Sequence, residues 1–269
     1  MQYDPIKRSL GKIFNKTPFL RILFYKSLDL LLLRAWHIKK EVNQIRNSVP
    51  KDCQILDAGS GFGQYTYFLS RIFPKGMIKA VDIKQEQIED CNLFFSKIGK
   101  EERVHFEWAD LVKFSEKEKY HLALSVDVME HIEEDVTVFR NIYKSLKTRG
   151  ILIISTPSDQ GGSDVHDDHD SSFIDEHVRD GYNKTEIENK LRDAGFQYIH
   201  SSYSYGKPGK ISWKVSMKFP ILLLNRSSLF FIILPFYYLI TFPFCLLLNW
   251  LDVHNFQQTG TGLIVRAIK

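Results

Sequence analysis

Asp57, Gly59, Gly61 and Gly63 alternate through the stretch ILDAGSGFG, residues 55–63, and a second apolar run, IKAVDIK, carries Asp82 nineteen residues after Gly63. Glycines at alternate positions let the backbone turn tightly and let a ligand lie against the main chain with no Cβ in the way. A helix expected over 64–72 then offers its N-terminal amides to whatever binds. An acid at the distance of Asp82 suits the two hydroxyls of a ribose. A nucleoside is therefore the expected ligand. A dinucleotide fingerprint would carry glycine or alanine at position 64, where this chain has Gln64, which speaks against a nicotinamide cofactor.

Three further stretches hold groups able to do chemistry. HFEWADL brings Ala109 and Asp110 to the end of a third apolar run, and SVDVMEHIEED brings Val126, Asp127, Glu130 and His131 to the end of a fourth. Two carboxylates and an imidazole on one turn can supply a base, and an imidazole titrates near neutrality. The same three groups are weak candidates for a divalent metal, and the alternative is that Glu130 and His131 only hold the loop. The loop after Ser155 holds Asp164, His166, Asp167, Asp168, His169 and Asp170 beside Gly-Gly and serines. Hard, closely spaced acids in that setting fit a solvated lid better than a tetrahedral metal site. His177 follows as a second candidate base, with a surface histidine as the plain alternative.

Taken together, D-x-G-x-G-x-G, the acid at the next strand end and D-V-M-E-H-I resemble the class I S-adenosylmethionine (SAM) methyltransferases. D-V-M-E-H-I is similar to the post-strand motif of the ubiquinone-type O-methyltransferases. The resemblance implies SAM as cofactor. It implies that Asp57 organises the loop or reaches the amino group through water, that Gly59 and Gly61 pass close to the methionine moiety, and that Asp82 accepts from the ribose hydroxyls. Ile83 and Leu111 are candidates to pack on the adenine ring. Asp110 would accept from its amino group, with a backbone amide at Ala109-Asp110 donating to the ring. Val126 and Asp127 would lie beside the sulfonium. In the ubiquinone enzymes, acids matching Asp127 and Glu130 and a His matching His131 go with a divalent metal; Asp127 is shorter than the usual Glu there. A helix that starts Y-x-x-x-E-I, here at Tyr182, lines the acceptor site in the family, which draws in His177.

Elements that can position these groups follow from the periodicity. Strands are expected at 54–58, 77–81, 104–109, 122–126 and 150–155, with helices near 64–73, 85–98 and 134–147 between them. A further helix is expected over 182–194, with Asn183 as cap and Gly195 ending it, then strands at 196–204 and 262–268. Such alternation makes βαβ units and a mainly parallel sheet. The expected fold is α/β, a Rossmann-like seven-stranded sheet whose last strand, by the resemblance, is antiparallel. The organisation reads as basic amphipathic helices over 1–48, a SAM-binding core over 49–207, an apolar helical insertion over 208–258 and the last core strand over 259–269.

The two outlying segments bear on partners. Residues 1–50 hold ten Lys or Arg against Asp4, Asp29 and Glu41, and Thr17-Pro18 is a good helix start. The helical stretch over 19–46 reads either as a cover for the sheet edge or as a basic helix on an anionic membrane surface. Its apolar stretch is interrupted by charges, unlike a secretory leader. Residues 229–248 run for twenty residues without a charge, long enough to span a bilayer. The strands on either side must pair in one sheet, so an odd number of crossings is excluded. Pro235 and Pro243 are expected to break a straight helix. A hairpin that dips into one leaflet or lies in the interface, with lysines and aromatics at the headgroups, is the expectation; a packed cap or a dimer interface is the alternative. A net charge of +4 argues for no nucleic-acid partner, and three scattered cysteines fit a reducing cytoplasmic setting. The expected activity is methyl transfer to a lipophilic small molecule, a quinone-type phenol or a lipid-linked compound, on the cytoplasmic face of a membrane. The competing readings are a methyltransferase of a soluble molecule, homo-oligomeric through the insertion, and a SAM-binding protein without turnover.

Overall fold

Seven strands alternate with helices as the periodicity requires. The computed structural model describes residues 17–161, 178–227 and 230–269. The strands are β1 (Gln54–Ala58), β2 (Met77–Asp82), β3 (Val104–Trp108), β4 (Tyr120–Val126), β5 (Leu146–Pro157), β6 (Tyr198–Ser204) and β7 (Gly262–Ile268), in the spatial order β3-β2-β1-β4-β5-β7-β6. The first five run parallel to one another, and β7 runs antiparallel to both β5 and β6. The strand order reverses between β1 and β4, and ligands of open α/β sheets bind outside the carboxyl ends of the strands at such a point.

Before the sheet come α1 (Pro18–Leu31) and α2 (Leu33–Ile45); within it lie α3 (Gln64–Ile72), α4 (Gln85–Lys97), α5 (Asp135–Ser145) and α6 (Lys184–Ala194). The Thr17 hydroxyl accepts from Leu20 N at 3.3 Å to start α1, and Asn183 caps α6 by accepting from Thr185 N at 2.9 Å. Successive residues of a strand point to opposite faces. Ile55 and Leu56 are both fully buried and belong to different clusters, one with Ile38, Leu69, Phe94 and Phe95, the other with Phe139, Ile142, Leu152 and Leu263. Both faces of the sheet are thus covered, as a parallel sheet demands.

Several expected limits shift for identifiable reasons. β5 extends well beyond 150–155 because Leu146 pairs with Tyr120 at one end and Pro157 pairs with Gly262 at the other. β3 stops at Trp108, before Ala109. Tyr182 does not open α6: it forms an isolated bridge with Ser158, is buried, and donates its hydroxyl to Asp135 and to the Met129 carbonyl.

The insertion between β6 and β7 forms α7 (Lys207–Trp213), a π turn over Lys214–Lys218, α8 (Phe219–Arg226) and α9 (Phe230–His254). Its two ends meet, since Ser204 pairs with Gly262. Contrary to expectation, α9 passes through both Pro235 and Pro243. Packing holds it: Tyr237 and Tyr238 donate to the Val215 and Ser216 carbonyls at 2.6 and 2.7 Å, and Ser212 Oγ donates to the Cys245 carbonyl at 3.2 Å. Its carboxyl-terminal third sits on the body of the protein through Cys245, Leu248, Asn249, Asp252 and Val253. The helix as a whole is long and apolar enough to cross a membrane, with 11% of its most apolar window buried.

Candidate active site

The glycine-rich loop joins β1 to α3 at the carboxyl edge of the sheet. Gly59, Gly61 and Gly63 all have positive φ. At Gly59 a Cβ would also stand 2.2 Å from Val128 Cγ2, so the loop lies directly against the turn after β4. At Gly61 the nearest atom to such a Cβ would be Gln87 Oε1 at 3.8 Å, which leaves open space over the loop. That space fits a ligand lying on the main chain.

Two carboxylates brace this loop. Asp57 is buried and accepts from the Thr66 hydroxyl; burial pushes its carboxyl up to about 7, against the opposing effect of Thr66. It holds the loop from behind. Asp82, half-buried at the end of β2, accepts from Gly61 N through Oδ2 at 2.8 Å and from Lys84 N through Oδ1 at 2.9 Å. Each oxygen retains capacity for a hydroxyl donor, so Asp82 fits the ribose expected of it. Beside it, Ile83 is 63% and Trp108 58% exposed, and Trp108 Nε1 donates to the Ile83 carbonyl at 3.1 Å. Two exposed apolar side chains next to a ribose-type acid form a platform for a planar base. Trp108 was not singled out by sequence, although it stands in HFEWADL.

Asp110 lies nearby, with Oδ1 accepting from Val112 N at 2.9 Å. The Ala109 amide is committed to the Asp82 carbonyl at 3.1 Å, so it is no donor to a ring, and Leu111 is buried in the core instead of facing one.

After Val126 the chain turns sharply. Asp127 takes φ 52°, donates its amide to the Ser155 carbonyl at 2.8 Å, and pairs its carboxylate with Arg34 from α2. A non-glycine residue held at positive φ costs free energy that the surroundings must supply, a condition that clusters at functional sites. Glu130 is 1% exposed on the following turn, accepts from Thr156 Oγ1 at 3.1 Å, and has its carboxyl pushed up by burial. His131 is exposed on the same turn. His177 lies outside the described residues, as does most of the acidic loop. Among the described residues no group of His, Cys, Asp or Glu is placed to hold a metal ion.

A cavity of about 550 Å³ opens beside Asp127, within the size range of small-molecule sites. Asp127, Ser155, Thr156 and Pro157 come to it from the ends of β4 and β5, Arg34 from α2, Thr261 and Gly262 from the start of β7, and Lys210, Trp213 and Lys214 from the insertion. Sequence reasoning found Asp127 and missed the rest. Glu130 is joined to this cavity through Thr156, and His131 is not among its described lining residues.

The amino-terminal helices are part of the site. Arg21, buried, donates to the Phe62 carbonyl at 2.9 Å and pairs with Asp90 at 2.6 Å; the Tyr25 hydroxyl donates to the same carbonyl. Gln64, which replaces the dinucleotide glycine, donates to Asp29 at 2.7 Å. α1 thus clamps the loop and is not a free helix, although Phe19, Leu23 and Leu30 remain exposed.

A family profile described as a methyltransferase domain matches residues 50–201, more than half of the chain. Both the amino-terminal helices and the insertion fall outside that span. The malonyl-[acyl-carrier protein] O-methyltransferase of Priestia megaterium is 32% identical over 116 residues, 43% of this chain and 41% of that protein. The chain spans less than half the length of the curated relatives it matches. Among solved structures, phosphoethanolamine N-methyltransferase 2 of Haemonchus contortus superposes with a TM-score of 0.60 at 16% identity, over 87% of this chain and 52% of that one. An S-adenosylmethionine-dependent methyltransferase of Mesorhizobium loti gives 0.52 at 17% identity, over 85% and 97%. Likeness at that identity extends to the fold.

Proposed function

The chain belongs to the methyltransferase-domain family and is a SAM-dependent methyltransferase, and from that premise we propose that it methylates a lipophilic small molecule taken up at a membrane surface. The observation that carries this reading is the origin of the cavity wall: Lys210, Trp213 and Lys214 open the same insertion whose later helix exposes Phe231, Ile232, Phe236, Leu239 and Ile240. One wall of the cavity and the apolar surface come from the same segment.

Bound SAM supplies an electrophilic methyl group on a sulfonium; the protein orients the partners and excludes water. In this reading Asp82 holds the ribose, Ile83 and Trp108 flank the base, and Gly59 and Gly61 admit the methionine moiety. Val126 and Asp127 border the reacting end, and the Arg34–Asp127 pair fixes the wall between cofactor and acceptor. Of the candidate bases among the described residues, Glu130 is the one connected to the cavity. Its raised carboxyl, reached through the Thr156 hydroxyl, would take the proton that the acceptor releases. The exposed apolar helix, the basic residues before it and the meeting ends of the insertion support seating on one side of a bilayer.

The test is methyl-labelled SAM incubated with the protein and, separately, with a total membrane lipid extract or an aqueous small-molecule extract. Label entering the organic phase supports the reading; label entering only the aqueous products overturns it.

A further inference from the structure

Three cations and one carboxylate line the cavity: Arg34, Lys210, Lys214 and Asp127. Arg34 and Asp127 pair with each other. Lys210 and Lys214 stand four residues apart, so they share one helix face, and neither forms an ion pair with any of the described residues. Nor can a carboxylate reach them from their own segment. No acid occurs between Asp193 and Asp252, whereas Lys207, Lys210, Lys214, Lys218 and Arg226 all fall in that interval. Asp252 itself is fully buried and already accepts from His37, Tyr205 N, Gly206 N and Gly209 N.

Lys210 is half-buried and Lys214 is exposed at the mouth of the cavity. Two ammonium groups on one face, with no carboxylate from their own segment and no ion pair among the described residues, favour an anion entering with the ligand. Between the two lysines stands Trp213, 39% exposed, an apolar surface against which a chain or ring can lie. The backbone widens there into the π turn, with the Phe219 amide reaching back to the Lys214 carbonyl; single π turns recur at functional sites. We propose that this cavity selects an acceptor bearing a carboxylate or phosphate monoester, with the anion seated on Lys210 and Lys214 and the apolar body along Trp213. The inference rests on reading the cavity as the acceptor site, and it adds the charge of the substrate class to that reading. The insertion then has two tasks, to expose apolar surface and to sort acceptors by charge.

Calorimetric titration of the protein saturated with S-adenosylhomocysteine tests this. The probes are octanoate, octyl phosphate, octanol and octylammonium, each below its micelle concentration, with acetate and methyl phosphate as short counterparts. Octanoate and octyl phosphate are expected to bind at least tenfold more tightly than octanol, with octylammonium weakest. Lys210→Ala/Lys214→Ala should erase that preference, Lys210→Arg/Lys214→Arg should restore it, and S-adenosylhomocysteine affinity should stay within a factor of two throughout. Equal affinity for octanol, a preference for the cation, absence of saturable binding by either octyl anion, or a preference that survives the double alanine variant overturns the proposal. A parallel fall in S-adenosylhomocysteine affinity also overturns it, because the lysines would then serve the cofactor. Acetate and methyl phosphate binding as tightly as the octyl anions would sink the lipophilic reading and leave the anion site standing.

Discussion

On the β1–β2–β3 side of the sheet, the candidate cofactor groups lie within a few residues of strand ends, and backbone amides fix them. Asp82 takes its orientation from Gly61 N and Lys84 N, and Gly59 rests on Val128. On the β5–β7 side, the cavity is assembled from Arg34, Thr156, Tyr205, Lys210 and Thr261, which are far apart in sequence. Its geometry depends on one buried acid, Asp252, which draws α2, the end of β6 and the start of α7 together. The groups of the candidate cofactor edge are set mainly by strand ends and nearby amides, with α1 clamping the loop from outside, whereas the proposed acceptor side is set by tertiary contacts throughout. The first can stay constant while the second is rebuilt for another substrate.

The sharpest way to break this contrast is at Asp252. Asp252→Ala leaves three backbone N–H groups without their acceptor, each unsatisfied donor costing about 1–3 kcal/mol. Urea denaturation should show a loss on the order of 4 kcal/mol, and limited proteolysis should cut the insertion first. An intact insertion in that variant would show that Asp252 is not what positions the acceptor side. Asp82→Ala should cost less stability than Asp252→Ala, because the amides of half-buried Gly61 and exposed Lys84 can turn to water. It should weaken S-adenosylhomocysteine about 100-fold or more in calorimetry, since hydrogen bonds to a charged group contribute about 1.5–3 kcal/mol each. Unchanged affinity would remove Asp82 from the site.

Smaller effects sharpen the comparison. Phe236→Asp with Ile240→Asp places two charges on the exposed face of α9; co-sedimentation with anionic vesicles should fall at least tenfold while S-adenosylhomocysteine binding persists. Equal sedimentation of variant and parent would detach the apolar face from the membrane reading. The mildest change concerns a slope. Burial raises the Asp57 carboxyl to about 7 in the folded state from an ordinary 3.8. The native protein therefore keeps a proton that the unfolded chain has released, and stability declines as pH rises from about 4 to about 7. Asp57→Asn should flatten that decline in melting curves collected across this window; an identical slope in both proteins would place the Asp57 carboxyl back in the ordinary range.

Much of the edge that carries the glycine loop was legible because most of its determinants are local. β1 and β7 have the limits that the periodicity gives, and the glycine spacing with Asp82 led to the loop. The strand pairing also bore out the expectation that both ends of the insertion lie together. The acceptor side was not legible in the same way. No spacing rule joins Arg34 to Asp127, and none marks Thr156 as the partner of a buried Glu130. The clamp of Arg21 and Tyr25 on the Phe62 carbonyl was invisible for the same reason, because a basic amphipathic helix reads alike whether it covers a loop or a lipid surface. The prolines misled because propensity considers a helix by itself, whereas α9 is held by Tyr237, Tyr238 and Ser212.

The strand order has a consequence for synthesis. β7 lies between β5 and β6, both made before it, so β6 has no neighbour in the sheet until β7 arrives. The 57 residues at 205–261 separate β6 from β7 in the chain. At about 5–20 residues per second, β6 would wait on the order of several seconds for β7, and the completed α9 about 1–3 seconds. During that interval the most apolar helix of the protein has emerged while the strands that anchor its two ends are unpaired. A nascent chain built in this order favours an early receiver for α9, and delaying translation just before Gly262 should increase its capture by chaperones or lipid.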